Sequence, residues 1–118
     1  MKKNQTTTEE TTYSVREICA LTGVTRKTLF YYDRIALLEP YDRVGVQNHK
    51  VYDAASLERL RQILLYRDAG LQIEEIRSIL DGEQDRNTVL YRVLERLMRE
   101  AEQKKEQISR IRILMEEE

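Results

Sequence analysis

From about Asn87 to Glu116 the chain contains neither Gly nor Pro. Within that span Leu90, Leu94, Leu97, Ala101, Ile108, Ile111 and Met115 recur at alternating steps of four and three residues, provided Lys104 fills the one polar gap. Apolar residues so spaced form a single stripe along an α-helix, the heptad seam of a coiled coil. A helix of this length reaches roughly 45 Å at about 1.5 Å per residue, too far to be covered by the small remainder of the chain. The stripe therefore needs a partner helix, and the simplest partner is the same helix of a second copy, related by a two-fold axis. A Lys at position 104 of the seam is the kind of polar residue that selects one register over another.

The rest of the 118 residues has room for one small domain with a modest core. Residues 1–12 are polar and Thr-rich without periodicity, and a disordered arm is expected there, with Glu9 and Glu10 opposing contact with a nucleic-acid backbone. The expected organisation is thus an arm over 1–12, a head over 13–82 and a coiled-coil helix over 83–118. No apolar run approaches the length needed to cross a bilayer, and the start Met1-Lys2-Lys3-Asn4 lacks the apolar segment of a secretory signal. With one cysteine, Cys19, no disulfide can form within the chain, which suits a reducing compartment and a cytoplasmic location. One His, one Cys and four scattered Gly supply no nucleophile pair, metal cluster or phosphate-cradling loop, so neither an enzyme nor a metal or cofactor site is expected.

The head is organised around Val24 to Arg34. Thr25 is a good N-cap, and Val24 and Leu29 fall where a hydrophobic staple would fix the entry of the chain. With 3.6 residues per turn, Leu29 and Tyr32 share one face, while Arg26, Lys27, Phe30, Tyr31 and Arg34 share the opposite one. A face of cations and aromatics suits phosphates and groove edges. Just before it, Ser14-Val15-Arg16-Glu17 has capping-box form and Thr22-Gly23 supplies a turn, so two short helices make a helix-turn-helix. Cys19 lies beside Ile18 on the first helix and reads as a small core residue.

After the second helix, Ile35-Ala36-Leu37-Leu38 is expected to pack back on the core and Pro40 to end any helix nearby. Tyr41 to Tyr52 then reads as a short hairpin, a wing, with Arg43 on its outgoing arm, Lys50 on its return arm and His49 near its tip. Asp53 caps a third helix with the stripe Leu57, Leu60, Ile63 and Leu64, Arg67 in its last turn and Gly70 beyond its end. A short helix follows, with Ile73, Ile76, Ile79 and Leu80 inward and Glu74 and Glu75 in its first turn.

Taken together, Tyr13-Ser14-Val15, Thr22-Gly23-Val24, Thr28-Leu29-Phe30-Tyr31-Tyr32-Asp33, Leu37-Leu38-Glu39-Pro40, Lys50-Val51-Tyr52, Leu57-Glu58-Arg59-Leu60, Arg67-Asp68-Ala69-Gly70 and Ile73-Glu74-Glu75-Ile76 resemble, in order, the DNA-binding head of the MerR family of bacterial transcription regulators. The long terminal helix is similar to that family's dimerisation helix, which implies antiparallel pairing. The sequence departs from the family pattern at Phe30, where Arg is usual, and at Asn48-His49-Lys50, where Gly-Tyr-Arg is usual. The chain also stops where family members often continue into an effector-binding region.

The fold expected is therefore mainly α: a winged helix-turn-helix head followed by a long helix forming an antiparallel coiled-coil dimer. The expected DNA-binding residues are Thr25, Arg26, Lys27, Thr28, Tyr31 and Tyr32 from the second helix, Arg43, His49 and Lys50 from the wing, and Arg67. A net charge of −1 gives no global attraction to DNA, so binding must come from local clustering of these cations. The resemblance implies a homodimer that bends or untwists promoter DNA with RNA polymerase nearby. Two other readings are an excisionase-like architectural protein, which has little need of the long seam, and a module whose coiled coil recruits a different chain.

Overall fold

The computed structural model describes residues 11–117. The arm expected over 1–12 falls outside the described residues except for Thr11 and Thr12, and Thr12 already belongs to a strand. The chain divides into two units, one ending at Tyr66 and the other beginning at Arg67.

In the first unit, strand β1 (Thr12–Ser14) leads directly into helix α1 (Val15–Thr22). Ser14 closes α1 with a full capping box: its Oγ accepts from Glu17 N at 3.1 Å, and its own N–H donates to Glu17 Oε1 at 2.8 Å. Gly23 ends α1 at φ 80°, where its N–H donates to the Cys19 carbonyl and a side chain would be strained. Helix α2 (Arg26–Arg34) follows, capped by Thr25, whose Oγ1 accepts from Thr28 N at 3.1 Å. Val24 and Leu29 are both buried, as a staple requires.

Helix α2 ends in a Schellman turn: Leu37 N donates to the Tyr32 carbonyl and Ala36 N to that of Asp33. Ala36 occupies the left-handed position at φ 59°. The turn delivers Leu37 and Leu38 into the core, and Arg59 Nε donates to the Leu37 carbonyl at 2.9 Å. The wing is β2 (Asp42–Val44) and β3 (His49–Asp53), joined by a turn in which Asn48 N donates to the Gly45 carbonyl. Strand β3 lies between β1 and β2 in an antiparallel sheet, with Tyr13 opposite Tyr52 and Arg43 opposite Lys50. β1 was not foreseen from the sequence, because three residues beside a strong helix cap carry no periodicity of their own. Helix α3 (Ala54–Asp68) starts at Asp53, which accepts from Ser56 N at 2.8 Å, and buries Leu60, Ile63 and Tyr66.

The second unit holds helix α4 (Ile73–Leu80) and helix α5 (Arg86–Glu116), the latter capped by Asp85. Leu71, Ile76, Val89 and Val93 are its buried residues. On α5, Val89 and Val93 thus form one buried apolar face, and a second apolar stripe is left largely exposed. Among the seam residues Leu94, Ile108, Ile111 and Met115 are at least half exposed, whereas Leu90 is partly covered and Leu97 lies against Gly70. No helix of the described residues is long and apolar enough to cross a membrane.

Candidate nucleic-acid interface

Because Leu29 and Tyr32 turn into the core, at 0% and 4% exposure, the opposite side of α2 presents Arg26, Lys27, Tyr31 and Arg34 to solvent, with Phe30 half-buried between them. The aromatics hold the cations along this face. Arg26 lies over the Phe30 ring at 5.4 Å and Arg34 over the Tyr31 ring at 5.5 Å. The wing runs beside the same face: Lys50 Nζ is 4.1 Å from the Phe30 centroid, so one ring carries a cation from the helix and one from the sheet. Arg16, Arg26, Phe30, Val44, His49 and Lys50 line an open groove between α1, α2 and the wing.

Asp33 ties helix to wing. Arg43 donates to both of its carboxylate oxygens, at 3.0 and 3.1 Å, and Lys50 Nζ stands 3.4 Å from it. Burial pushes the Asp33 carboxyl up, but hydrogen bonds and charge from Arg43 and Lys50 outweigh it and leave the group below the usual carboxylate value. The net result is a ledge of four cations, Arg26, Lys27, Lys50 and Arg43, with one carboxylate beneath. Such a surface can meet a phosphate backbone and offer side chains to base edges.

Against this geometry the matches to known proteins are direct. Residues 13–83, more than half of the chain, match the model of the MerR HTH family regulatory protein. The chain belongs to the MerR family. It is thus a member of a family of DNA-binding transcription regulators and not of an enzyme family. Its head is 44% identical over 69 residues to the transcriptional activator TipA of Streptomyces coelicolor, covering 58% of this chain and 27% of TipA. Over 100 residues it is 35% identical to the transcriptional activator mta of Bacillus subtilis, covering 84% of this chain and 38% of mta. The crystal structure of MtaN, the N-terminus of the Bacillus subtilis multidrug transporter activator, superposes with a TM-score of 0.74 over 84% of this chain and 93% of that one. EcmrR, in its DNA complex in EcmrR-RPo, shares the fold at a TM-score of 0.81 and 24% identity, over 88% of this chain and 38% of that one. The chain thus spans between about a quarter and two fifths of the length of these curated relatives.

The MerR fold brings most of the residues expected from the sequence to one surface. Thr25, Arg26, Lys27 and Tyr31 are exposed on α2, Thr28 is partly so, and Lys50 and Arg43 adjoin them from the wing. Tyr32 is a correction: its place one helical turn from Leu29 puts the ring in the core, not on the surface. His49 lies beside the tip, where it opens β3 opposite Val44, exposed, with a ring nitrogen 3.0 Å from Gln47 Oε1. Arg67 is exposed in the last turn of α3 and belongs to the second unit.

Sequence reasoning gave Asp33 no role. Its partners lie 10 and 17 positions away across the wing, and only the pairing of Arg43 opposite Lys50 explains why a carboxylate is wanted there.

Proposed function

We propose that this MerR-family chain works as a cytoplasmic homodimer whose two heads grip the half-sites of a near-palindromic promoter element. The observation that carries the reading is the exposed face of α2, Arg26, Lys27 and Tyr31, flanked by Lys50 and Arg43 of the wing. Arg26, Lys27, Thr28 and Tyr31 would enter the major groove, with Lys50, Arg43 and Arg67 on phosphates. One head offers few phosphate contacts and a net charge of −1 adds no general attraction, so a single copy would bind weakly. Antiparallel pairing of α5 through Leu90, Leu94, Leu97, Ala101, Ile108, Ile111 and Met115 supplies the second head at a fixed distance.

Distortion of the DNA between the half-sites would align promoter elements for RNA polymerase, which accompanies DNA in the EcmrR assembly. In this reading the head expected over 13–82, which β1 extends back to Thr12, binds DNA, and the helix expected over 83–118 pairs the copies.

Selection from a pool of randomised duplexes, followed by footprinting of the winner, tests it. The expected result is protection of an inverted repeat by a dimer, with Lys50→Ala weakening binding to every duplex and Arg26→Ala relaxing preference within the half-site. Failure to protect any inverted repeat at low ionic strength overturns the reading.

A further inference from the structure

Arg43 and Lys50 stand directly opposite each other on adjacent antiparallel strands, so their side chains leave the same face of the wing. Like charges in that position repel and tend to splay a two-stranded ribbon. This ribbon has little else to hold it: every residue from Tyr41 to His49 is exposed, and β2 has only three residues. Yet both cations converge on one carboxylate that belongs to α2. Asp33 receives Arg43 in a two-point grip and Lys50 at 3.4 Å, and its own side chain is only 11% exposed.

Phe30, one helical turn earlier, supports the Lys50 ammonium from its ring face at 4.1 Å. The geometry points to Asp33 as the positioning residue that locks the wing to α2 and thereby sets the sequence discrimination of the head. This rests on the DNA-binding reading above, but the lock itself belongs to the free protein.

Two consequences separate this role from a local packing role. A carboxylate beside the contact surface opposes phosphate, so it weakens binding to any duplex while it holds the cations in register for the right one. Replacing it with a neutral isostere should therefore leave affinity for an arbitrary duplex unchanged or higher, with a steeper dependence on salt, while affinity for the preferred duplex falls. Simple misfolding would lower both.

The test compares the wild-type chain with Asp33→Asn and Asp33→Glu. Amide hydrogen exchange of the free proteins reads the lock, and binding to a wild-type-selected inverted repeat and to a mixed-sequence duplex reads discrimination. For Asp33→Asn the expected result is at least tenfold faster exchange across Asp42–Val51 with α3 and α5 unchanged, and at least a tenfold fall in the ratio of the two affinities. Asp33→Glu, which keeps the charge, should recover part of both. Wing exchange at the wild-type rate, a ratio within twofold of wild type, or equal loss on both duplexes overturns the proposal. If the wild-type chain selects no duplex at all, it is the DNA-binding reading that fails, and the exchange rates still decide whether Asp33 holds the wing.

Discussion

Arg96 grips Glu75 with both arms of its guanidinium, Nη1 at 2.6 Å from one oxygen and Nη2 at 3.0 Å from the other. The same Nη2 donates to the Gly70 carbonyl at 3.1 Å, and Glu75 also accepts from Gln72 N at 2.8 Å. One carboxylate thus caps α4 and fastens it to α5. The Arg96 hydrogen bond, opposed by burial, holds the Glu75 carboxyl below its ordinary value of 4.5. A group depressed in the folded state stabilises that state above its unfolded value and loses the contribution as the pH falls through the folded one. Stability should therefore decline as the pH drops below the ordinary 4.5. Glu75→Gln should be less stable near neutrality and show a shallower decline on the acid side, where only part of the decline persists because Asp33, also depressed, still contributes. Urea unfolding across a pH series reads both, and acid limbs of equal slope would dismiss the assignment.

Ala36 sits at φ 59° in the position of a Schellman turn that Gly usually fills. A side chain in the left-handed region costs about 1–2 kcal/mol, whereas Gly costs roughly 0.5–1 kcal/mol in unfolded-chain entropy. The first effect is the larger, and Ala36 is exposed, so no packing is lost. Ala36→Gly is expected to raise the unfolding free energy by about 0.5–1 kcal/mol. A shift of the urea midpoint to lower concentration would contradict this balance.

Tyr52 is the largest fully buried side chain, at 0% exposure, and its hydroxyl finds no hydrogen-bond partner among the described residues. Burial, with the Asp33 charge adding to it, pushes the phenol up to about 12, so it stays neutral. An unsatisfied buried hydroxyl costs about 1–3 kcal/mol. Tyr52→Phe keeps the ring and removes the orphan, and should stabilise the head by about 1 kcal/mol or more. Tyr52→Ala should instead cost about 3–5 kcal/mol through the cavity it leaves. Thermal unfolding of the pair separates the two effects, and a loss of stability in the Phe variant would reveal a partner for the hydroxyl.

What could be read from the sequence was whatever depended on near neighbours. The Ser14 and Thr25 caps, the Val24–Leu29 staple and the helical faces of α2 are set by residues within one turn, and each is found where spacing puts it. The wing hairpin lies within Tyr41 to Tyr52, the span expected for it. What escaped depends on partners far along the chain. β1 exists because β3 offers it an edge, Asp33 matters because two cations meet across the wing, and Arg96 reaches back 21 residues to Glu75. Val89 and Val93, the second apolar face of α5, differ in kind: a two-residue pair spaced by four carries a much weaker period than the heptad stripe beside it.

That second face makes the outward stripe testable residue by residue. Ile108 and Ile111 lie on the seam at 51% and 55% exposure, and Ile113, at 56%, lies off it on the other side of the same helix. Hydropathy and exposure do not distinguish the three, but position does. If α5 pairs with a second copy, each seam Ile is buried on association and contributes about 1.5–3 kcal/mol. Ile108→Glu combined with Ile111→Glu, changed in both protomers, should then weaken the dimer by several orders of magnitude, whereas Ile113→Glu should leave it intact. Lys104→Leu should tighten association while admitting alternative registers, since the polar residue no longer penalises them. Sedimentation equilibrium gives the association constants, and circular dichroism checks that the heads stay folded in the monomer. Equal effects of the seam and off-seam changes would mean that the stripe is not an interface between copies.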